Sequence, residues 1–325
     1  MGAIRRRRFL IAAGALSVVR LSLAQQRSDP VQIGILGNLQ AVTPEALALR
    51  EVFVEELRRR GWSEDRNLRI ERRYAEGSAE RNLENARELV ALKVDILVAP
   101  TGLGALAAKK VTDSIPIVFA TVPNPVEMGL VSSLARPGGN LTGLSSQGLD
   151  LIGKRFELLK EAFPRISRVG YLPVPASPSL NERAQRSAES VKLKLLPANW
   201  KQPEELAGAI EALADVDAWF VAESSRYFAM RKAIVDLIAR QRKPAMYPSD
   251  LFVDAGGLMS YSENIKEQFR LLAGIVDRIL RGAKPADIPV EQPTKFNLAV
   301  NLKTAQALGL AIPQSILLRA DRVIE

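Results

Sequence analysis

Short apolar, β-branched runs alternate with helix-period segments along most of this chain, and no other feature constrains its fold as strongly. Val31-Gln32-Ile33-Gly34-Ile35-Leu36 has the character of a buried strand. Thr43-Pro44-Glu45 then opens a helix, with Thr as N-cap, Pro at the first helical position and an acid in the first turn. Gly61 lies just past its end, where a left-handed residue closes a helix. Residues 68–74, 95–99 and 116–120 predict three more strands, separated by helices over 78–92 and 101–111. The series then restarts. Helices over 149–162, 179–191, 203–213 and 227–240 alternate with strands over 168–172, 193–197, 218–221 and 245–247. A strand over 258–261 and a long helix over 263–280, closed by Gly282, follow. Such a rhythm is that of parallel sheets with helices on both faces, so the expected class is α/β with two Rossmann-like lobes.

Three segments rich in turn formers separate these series: residues 136–143, 254–257 and 288–293. They divide the chain into a first lobe of 25–142 and 256–290 and a second of 143–255 and 291–325. A chain that crosses three times between two lobes makes a cleft with hinges at the crossings.

Residues 1–24 are set apart by composition. Arg5 to Arg8 form a basic start, Phe9 to Val19 an apolar run, and Ser22-Leu23-Ala24 a small-x-small cleavage box, the layout of a secretory signal peptide. The apolar run is about half the ~20 residues that span a bilayer. Arg6-Arg7-Arg8-Phe9-Leu10 also fits a twin-arginine signal, with an ordinary Sec signal as the alternative. The expected location is the periplasm, after cleavage near Ala24. Removing residues 1–24, with five Arg (Arg5 to Arg8 and Arg20) and no acid, lowers the formal charge from +9 to +4, too mild for a nucleic-acid binder. The chain has no His and no Cys, which rules out Ser-His-Asp and Cys-His catalysis and thiolate or imidazole metal sites. Neither a metal nor a cofactor is expected.

Ligands of open parallel sheets lie beyond the C-terminal strand ends. That rule selects Asn38 and Gln40 after the first strand, Pro100, Thr101 and Gly102 after the third, and Asn124 after the fourth. In the second series it selects the loop 175–179 with Ser177, then Glu223 and Ser224, then Ser249-Asp250. Thr101-Gly102 opens a helix, where free N–H groups and the positive dipole end suit a carboxylate; Thr101 can equally serve only as a cap. Glu223 and Asp250 can pair with an ammonium group, although Asp250 also suits a helix first turn. Tyr227, Phe228 and Tyr247 can wall the cleft or belong to the core.

Several longer segments resemble the ABC-transporter substrate-binding protein family that includes tryptophan/tyrosine-binding lipoprotein-like members. They are Ile33-Gly34-Ile35-Leu36, residues 92–99 and residues 115–119, then the run 124–143 from Asn124-Pro125-Val126-Glu127-Met128-Gly129 to Asn140-Leu141-Thr142-Gly143. Gly256-Gly257-Leu258-Met259-Ser260-Tyr261, residues 279–289 and Asn301-Leu302-Lys303-Thr304-Ala305 complete the set. The resemblance implies a periplasmic-binding-protein type I-like fold whose two lobes close on a small ligand for delivery to an inner-membrane permease. Two departures bear on the ligand. Relatives that bind aromatic amino acids carry Asp where this chain has Asn124, and Asp-Asn where it has Glu223-Ser224-Ser225. The lipoprotein members' Cys is also missing.

The expectation is therefore a monomeric, non-enzymatic periplasmic receptor of an ABC importer for an amino-acid-like or carboxylate solute. The alternatives are an exported hydrolase that pairs Glu223 with Asp250 or Glu127, and a sensing partner of a membrane signalling protein.

Overall fold

A computed structural model describes residues 29–37, 44–175 and 177–325, leaving aside the side chains of residues 44, 45 and 225. The signal segment 1–24 and the selected residues Asn38 and Gln40 lie outside the described residues. Strands β1 (Val31–Gly37), β2 (Leu68–Tyr74), β3 (Ile96–Thr101), β4 (Ile117–Pro123) and β5 (Leu141–Ser146) form one sheet in the order β2-β1-β3-β4-β5. All its pairings are parallel.

Successive residues of a strand point to opposite faces, and the central strands use both. Ile96 and Val98 pack with Phe53 and Leu57 of helix Pro44–Arg59 and with Leu272 and Val276 of helix Ile265–Leu280. Leu97 and Ala99 pack on the other face with Ala86, Leu89, Ala105 and Ala108 from helices Ala79–Ala91 and Gly102–Val111. Strands apolar on both sides read as continuous hydrophobic runs, which is why this sheet was legible in the sequence.

The second sheet holds β6 (Arg168–Leu172), β7 (Lys194–Pro197), β8 (Ala218–Val221), β9 (Ala245–Tyr247), β10 (Met259–Glu263), β11 (Phe296–Asn301) and β12 (Arg322–Ile324). Their order is β12-β11-β10-β9-β8-β6-β7, and β11 runs antiparallel to β10. From β6 to β10 the order repeats the pattern of the first sheet, so each sheet reverses direction beside its first strand. The surrounding core includes Trp219, Phe220 and Phe156, with the rings of Phe156 and Phe220 stacked 4.0 Å apart. Full burial of one such side chain contributes roughly 1.5–3 kcal/mol.

Two of the three expected lobe boundaries move. The turn-rich run 136–143 and the run 254–257 both lead into strands that stay in the sheet already under construction. Thus β5 closes the first sheet, and the chain crosses at Gln147–Asp150 into helix Leu151–Ala162, whose Phe156 and Leu159 belong to the second core. Likewise β10, expected in the first lobe, pairs with β9 and β11. The chain then crosses at Glu263–Asn264 into helix Ile265–Leu280 on the first sheet. Trp62 fastens that helix by donating its indole N–H to Asp277 Oδ1 at 2.8 Å. Glycine gives β5 the look of a turn in the sequence. A Cβ at Gly143 would lie 2.0 Å from the carbonyl oxygen of Phe119, so this strand position must be Gly for close approach, not for a turn. The third crossing follows Glu291, which bridges Leu144 before β11 begins.

Smaller differences have local causes. The expected helix over 227–240 breaks at Met230 into Ser225–Ala229 and Arg231–Arg240. Strands β11 and β12 and helices Leu302–Leu308 and Gln314–Leu317 follow the last expected element. Among the described residues no helix is long and apolar enough to cross a membrane.

Candidate ligand-binding cleft

The C-terminal ends of both sheets face a cavity of about 1080 Å³ lined from both sides. This is where open parallel sheets bind ligands, beside the point at which strand order reverses. From the first sheet come Gly37, Arg72, Tyr74, Pro100, Thr101, Thr121 and Ser146. From the second come Phe220, Glu223, Ser224, Ser249, Ser262 and Glu263.

Six of the residues selected from the sequence line this space: Pro100, Thr101, Gly102, Glu223, Ser224 and Ser249. Thr101 caps helix Gly102–Val111, its Oγ1 accepting from Gly104 N at 3.3 Å. The first amides of a helix have no intrahelical acceptor, and Gly102 and Leu103, which carry two of them, lie at the cavity wall. A Cβ on Gly102 would come within 2.8 Å of Met128 Cε.

The structure does not gather the other selections around the cavity. Asn124, exposed and with a positive φ of 47°, sits in the loop after β4, and its neighbours Pro123 and Met128 supply the lining. Ser177 precedes helix Pro178–Ser190, whose Leu180 reaches the cavity. Asp250 occupies the first turn of helix Asp250–Asp254, capped by Ser249, and Ser249 is the residue at the wall. Of the three aromatics, Phe228 lines the cavity, while Tyr227 and Tyr247 are core. Burial raises the pKa of both tyrosines, and the Tyr227 hydroxyl donates to the carbonyl of Pro173.

The residues that organise the site were missed. Arg155, only 1% exposed, donates from Nε to Tyr261 O at 2.7 Å and from Nη2 to Pro248 O at 3.0 Å. The same Nη2 lies 3.3 Å from Glu223 Oε2. One guanidinium thus ties together the ends of β8, β9 and β10. Its signal was visible: Arg155 lies in the buried stripe of Leu151, Ile152, Phe156 and Leu159, where helical spacing calls for an apolar residue. Gly148 lets Glu223 lie against the first crossing, since a Cβ there would stand 2.8 Å from Glu223 Oε2.

Glu263 ends β10 at the second crossing. Its Oε1 accepts from Ser146 Oγ at 3.1 Å and from Gln147 N, and its Oε2 accepts from Gln268 Nε2. Burial holds its pKa above the usual glutamate range, against those hydrogen bonds, and the charge of Glu223 adds to the rise. Expected as a helix start, Glu263 escaped the strand-end rule because β10 runs two residues further than its pattern indicates.

Two open, mostly parallel sheets flanked by helices, sharing one large cavity at the C-terminal ends of their parallel strands, have the periplasmic-binding-protein type I fold. The chain belongs to the ABC transporter substrate binding protein family, whose sequence pattern matches residues 39–324. It is 26% identical over 322 residues to the tyrosine-binding protein of Clostridioides difficile, covering 93% of this chain and 91% of that one. A Streptococcus pneumonia ABC domain solved in complex with L-Trp superposes with a TM-score of 0.81 at 26% identity, covering 91% of this chain and all (100%) of the other. A conserved domain protein from Vibrio cholerae gives the same values: 0.81, 26%, 91% and 100%.

Proposed function

We propose that this chain is an exported, monomeric receptor that captures an amino-acid-like or carboxylate solute between its two sheets and delivers it to an ABC permease. One observation carries the reading. The helix start at Thr101-Gly102 and the Arg155–Glu223–Glu263 cluster border a single cavity, so an anion-accepting end faces a polar end of mixed charge. Tyr74, Phe228 and Phe269 supply an apolar wall suited to a ring or branched side group. The tyrosine-binding and L-Trp-bound relatives favour an amino acid. Asn124 and Glu223-Ser224-Ser225, which depart from the aromatic amino acid pattern, keep its identity separate from theirs. Closure requires that the ligand favour the closed state over the open one. A micromolar Kd corresponds to about −8.2 kcal/mol, within reach of a few charge-assisted hydrogen bonds plus apolar burial.

The family, one of substrate-binding proteins, favours binding over catalysis. Glu223 is ion-paired to Arg155, and the two hydrolase partners named from the sequence, Asp250 and Glu127, are not among the residues lining the cavity. Export rests on the signal layout of residues 1–24.

The test is a thermal-shift screen of the mature protein against amino acids, organic acids and sugars. A ligand of the native state raises the midpoint progressively with concentration. An amino acid or carboxylate is expected to do so; a rise with neutral sugars alone contradicts the proposal.

A further inference from the structure

Glu263 belongs to the second sheet by its backbone and grips the first lobe by its side chain. As the last residue of β10 it pairs with Phe296 of β11, which fixes its backbone in the second sheet. Its carboxylate holds three donors that belong to the first lobe or to the crossing out of it. Oε1 accepts from the hydroxyl of Ser146, the last residue of β5, and from the amide of Gln147, where the first crossing begins. Oε2 accepts from Gln268 Nε2, one turn into helix Ile265–Leu280, which packs on the first sheet. Gln268 is 1% exposed, so water does not compete for that grip. Other links at the crossings differ in kind. Ser145 N donates to Glu291 O at 2.9 Å and Asn264 N to Lys295 O at 3.3 Å, both along the backbone. Lys295 and Glu267 form a pair at 3.3 Å between the third and second crossings, but the lysine is 69% exposed, and pairs of that type contribute little.

We infer that Glu263 is the positioning residue of the hinge, a latch that holds the two lobes at the observed angle, so that closing the cleft releases at least one of its three hydrogen bonds. The inference goes beyond the receptor reading and does not depend on which solute is bound. A rotation about the crossings carries Glu263 with the second sheet, while Ser146 and Gln268 stay with the first. Hydrogen bonds weaken steeply away from their preferred distance and angle, so three of them on one carboxylate resist that rotation. Rotation is needed: the cavity, at about 1080 Å³, is larger than the roughly 300–1000 Å³ of a small-molecule pocket, and a small solute is enclosed only when the lobes move. The latch works by reach rather than by charge. Gln268 Oε1 is buried and has no hydrogen-bond partner among the described residues. Glu263→Gln keeps one oxygen for Ser146 and Gln147, and a turn of the Gln268 amide sets its free oxygen opposite the new N–H.

The test measures the distance between the lobes in ligand-free protein. The chain has no Cys, so spin labels attached through Val126→Cys on the first lobe and Ser179→Cys on the second report that distance alone. Both positions are exposed. Double electron–electron resonance is recorded on this labelled parent and on Glu263→Ala and Glu263→Gln in the same background. Alanine reaches none of the three donors. The ratio of the parent separation to all others is expected to fall roughly tenfold or more in Glu263→Ala, the equivalent of one lost charge-assisted hydrogen bond. In Glu263→Gln it should change less than about twofold, since the bridge is kept. An unchanged distribution in Glu263→Ala overturns the inference even if the unfolding midpoint drops, because the three bonds then serve stability alone. Equal release by both variants overturns it as well, because charge rather than reach would then set the angle. Should Glu263→Ala fail to fold, Gln268→Met, which cuts only the link to the helix, decides. A smaller release in the same direction is expected, and the parent distribution contradicts the inference. No solute is added, so failure here leaves the receptor reading to its own thermal-shift screen.

Discussion

Arg155 and Glu223 form a salt bridge in the cleft wall, Nη2 to Oε2 at 3.3 Å, with the arginine side chain 2% exposed and the glutamate 42%. The asymmetry decides what each partner does. Arg155 is also the donor for two backbone carbonyls, so its loss strands acceptors on two strand ends, whereas Glu223 can turn to water.

Arg155→Met is therefore expected to destabilise the protein by about 2–4 kcal/mol, through unpaired buried acceptors. Glu223→Gln keeps an acceptor oxygen for the buried guanidinium and loses only the charge, so it should cost less than Arg155→Met, about 1–2 kcal/mol. Urea unfolding of the two variants measures both. Equal losses would show that the salt bridge itself, not the carbonyl contacts, carries the stability.

Gly143→Ala should be among the most damaging single substitutions in the first sheet. The added Cβ would meet the backbone of Phe119 at 2.0 Å, and backbone cannot turn aside as a side chain can. A loss of about 3 kcal/mol or more is expected, read as a collapse of soluble yield or of the unfolding midpoint. A variant with the wild-type midpoint contradicts the pairing of β4 with β5.

Thr101→Ala removes a cap worth about 1 kcal/mol and opens the helix start to water. Gly102→Val meets only the flexible end of Met128, at 2.8 Å, so the fold should accommodate it. Both variants are expected to lose roughly tenfold or more in affinity for a carboxylate ligand, as titration calorimetry would record. A lowered midpoint with unchanged affinity would assign both residues to structure alone.

The raised pKa of Glu263 sets a sign for the pH dependence. Between the ordinary glutamate value and the higher folded value, the native chain holds a proton that the unfolded chain has lost. The stability linked to this group is thus fully present at acid pH and falls as pH rises through that window. Glu263→Gln lacks this titration. Without ligand, its thermal midpoint relative to wild type is expected to improve from about pH 4 to pH 7. A relative midpoint that worsens over that range contradicts the raised pKa of Glu263.

Much of the first sheet was legible because strands buried on both faces leave unbroken apolar runs, as in Ile96-Leu97-Val98-Ala99. The crossings were less so, since turn formers mark loops and not changes of sheet: Gly143 looks like a turn and sits in a strand. Within the cleft, the strand-end rule reached Thr101, Gly102 and Glu223, which depend on local position. It could not reach Arg155, whose place depends on helix Leu151–Ala162 packing under a sheet formed later in the chain. Asp250 shows the reverse case, a loop acid whose neighbour Ser249 holds the wall while it occupies a helix first turn.

Titration calorimetry of the mature protein with the common amino acids, tyrosine and tryptophan included, is the most direct test of amino-acid capture in the cleft. Saturable, one-to-one binding of at least one of them is expected, with Kd in the micromolar range or tighter, about −8 kcal/mol. Heats that saturate with neutral sugars and with no amino acid would contradict it.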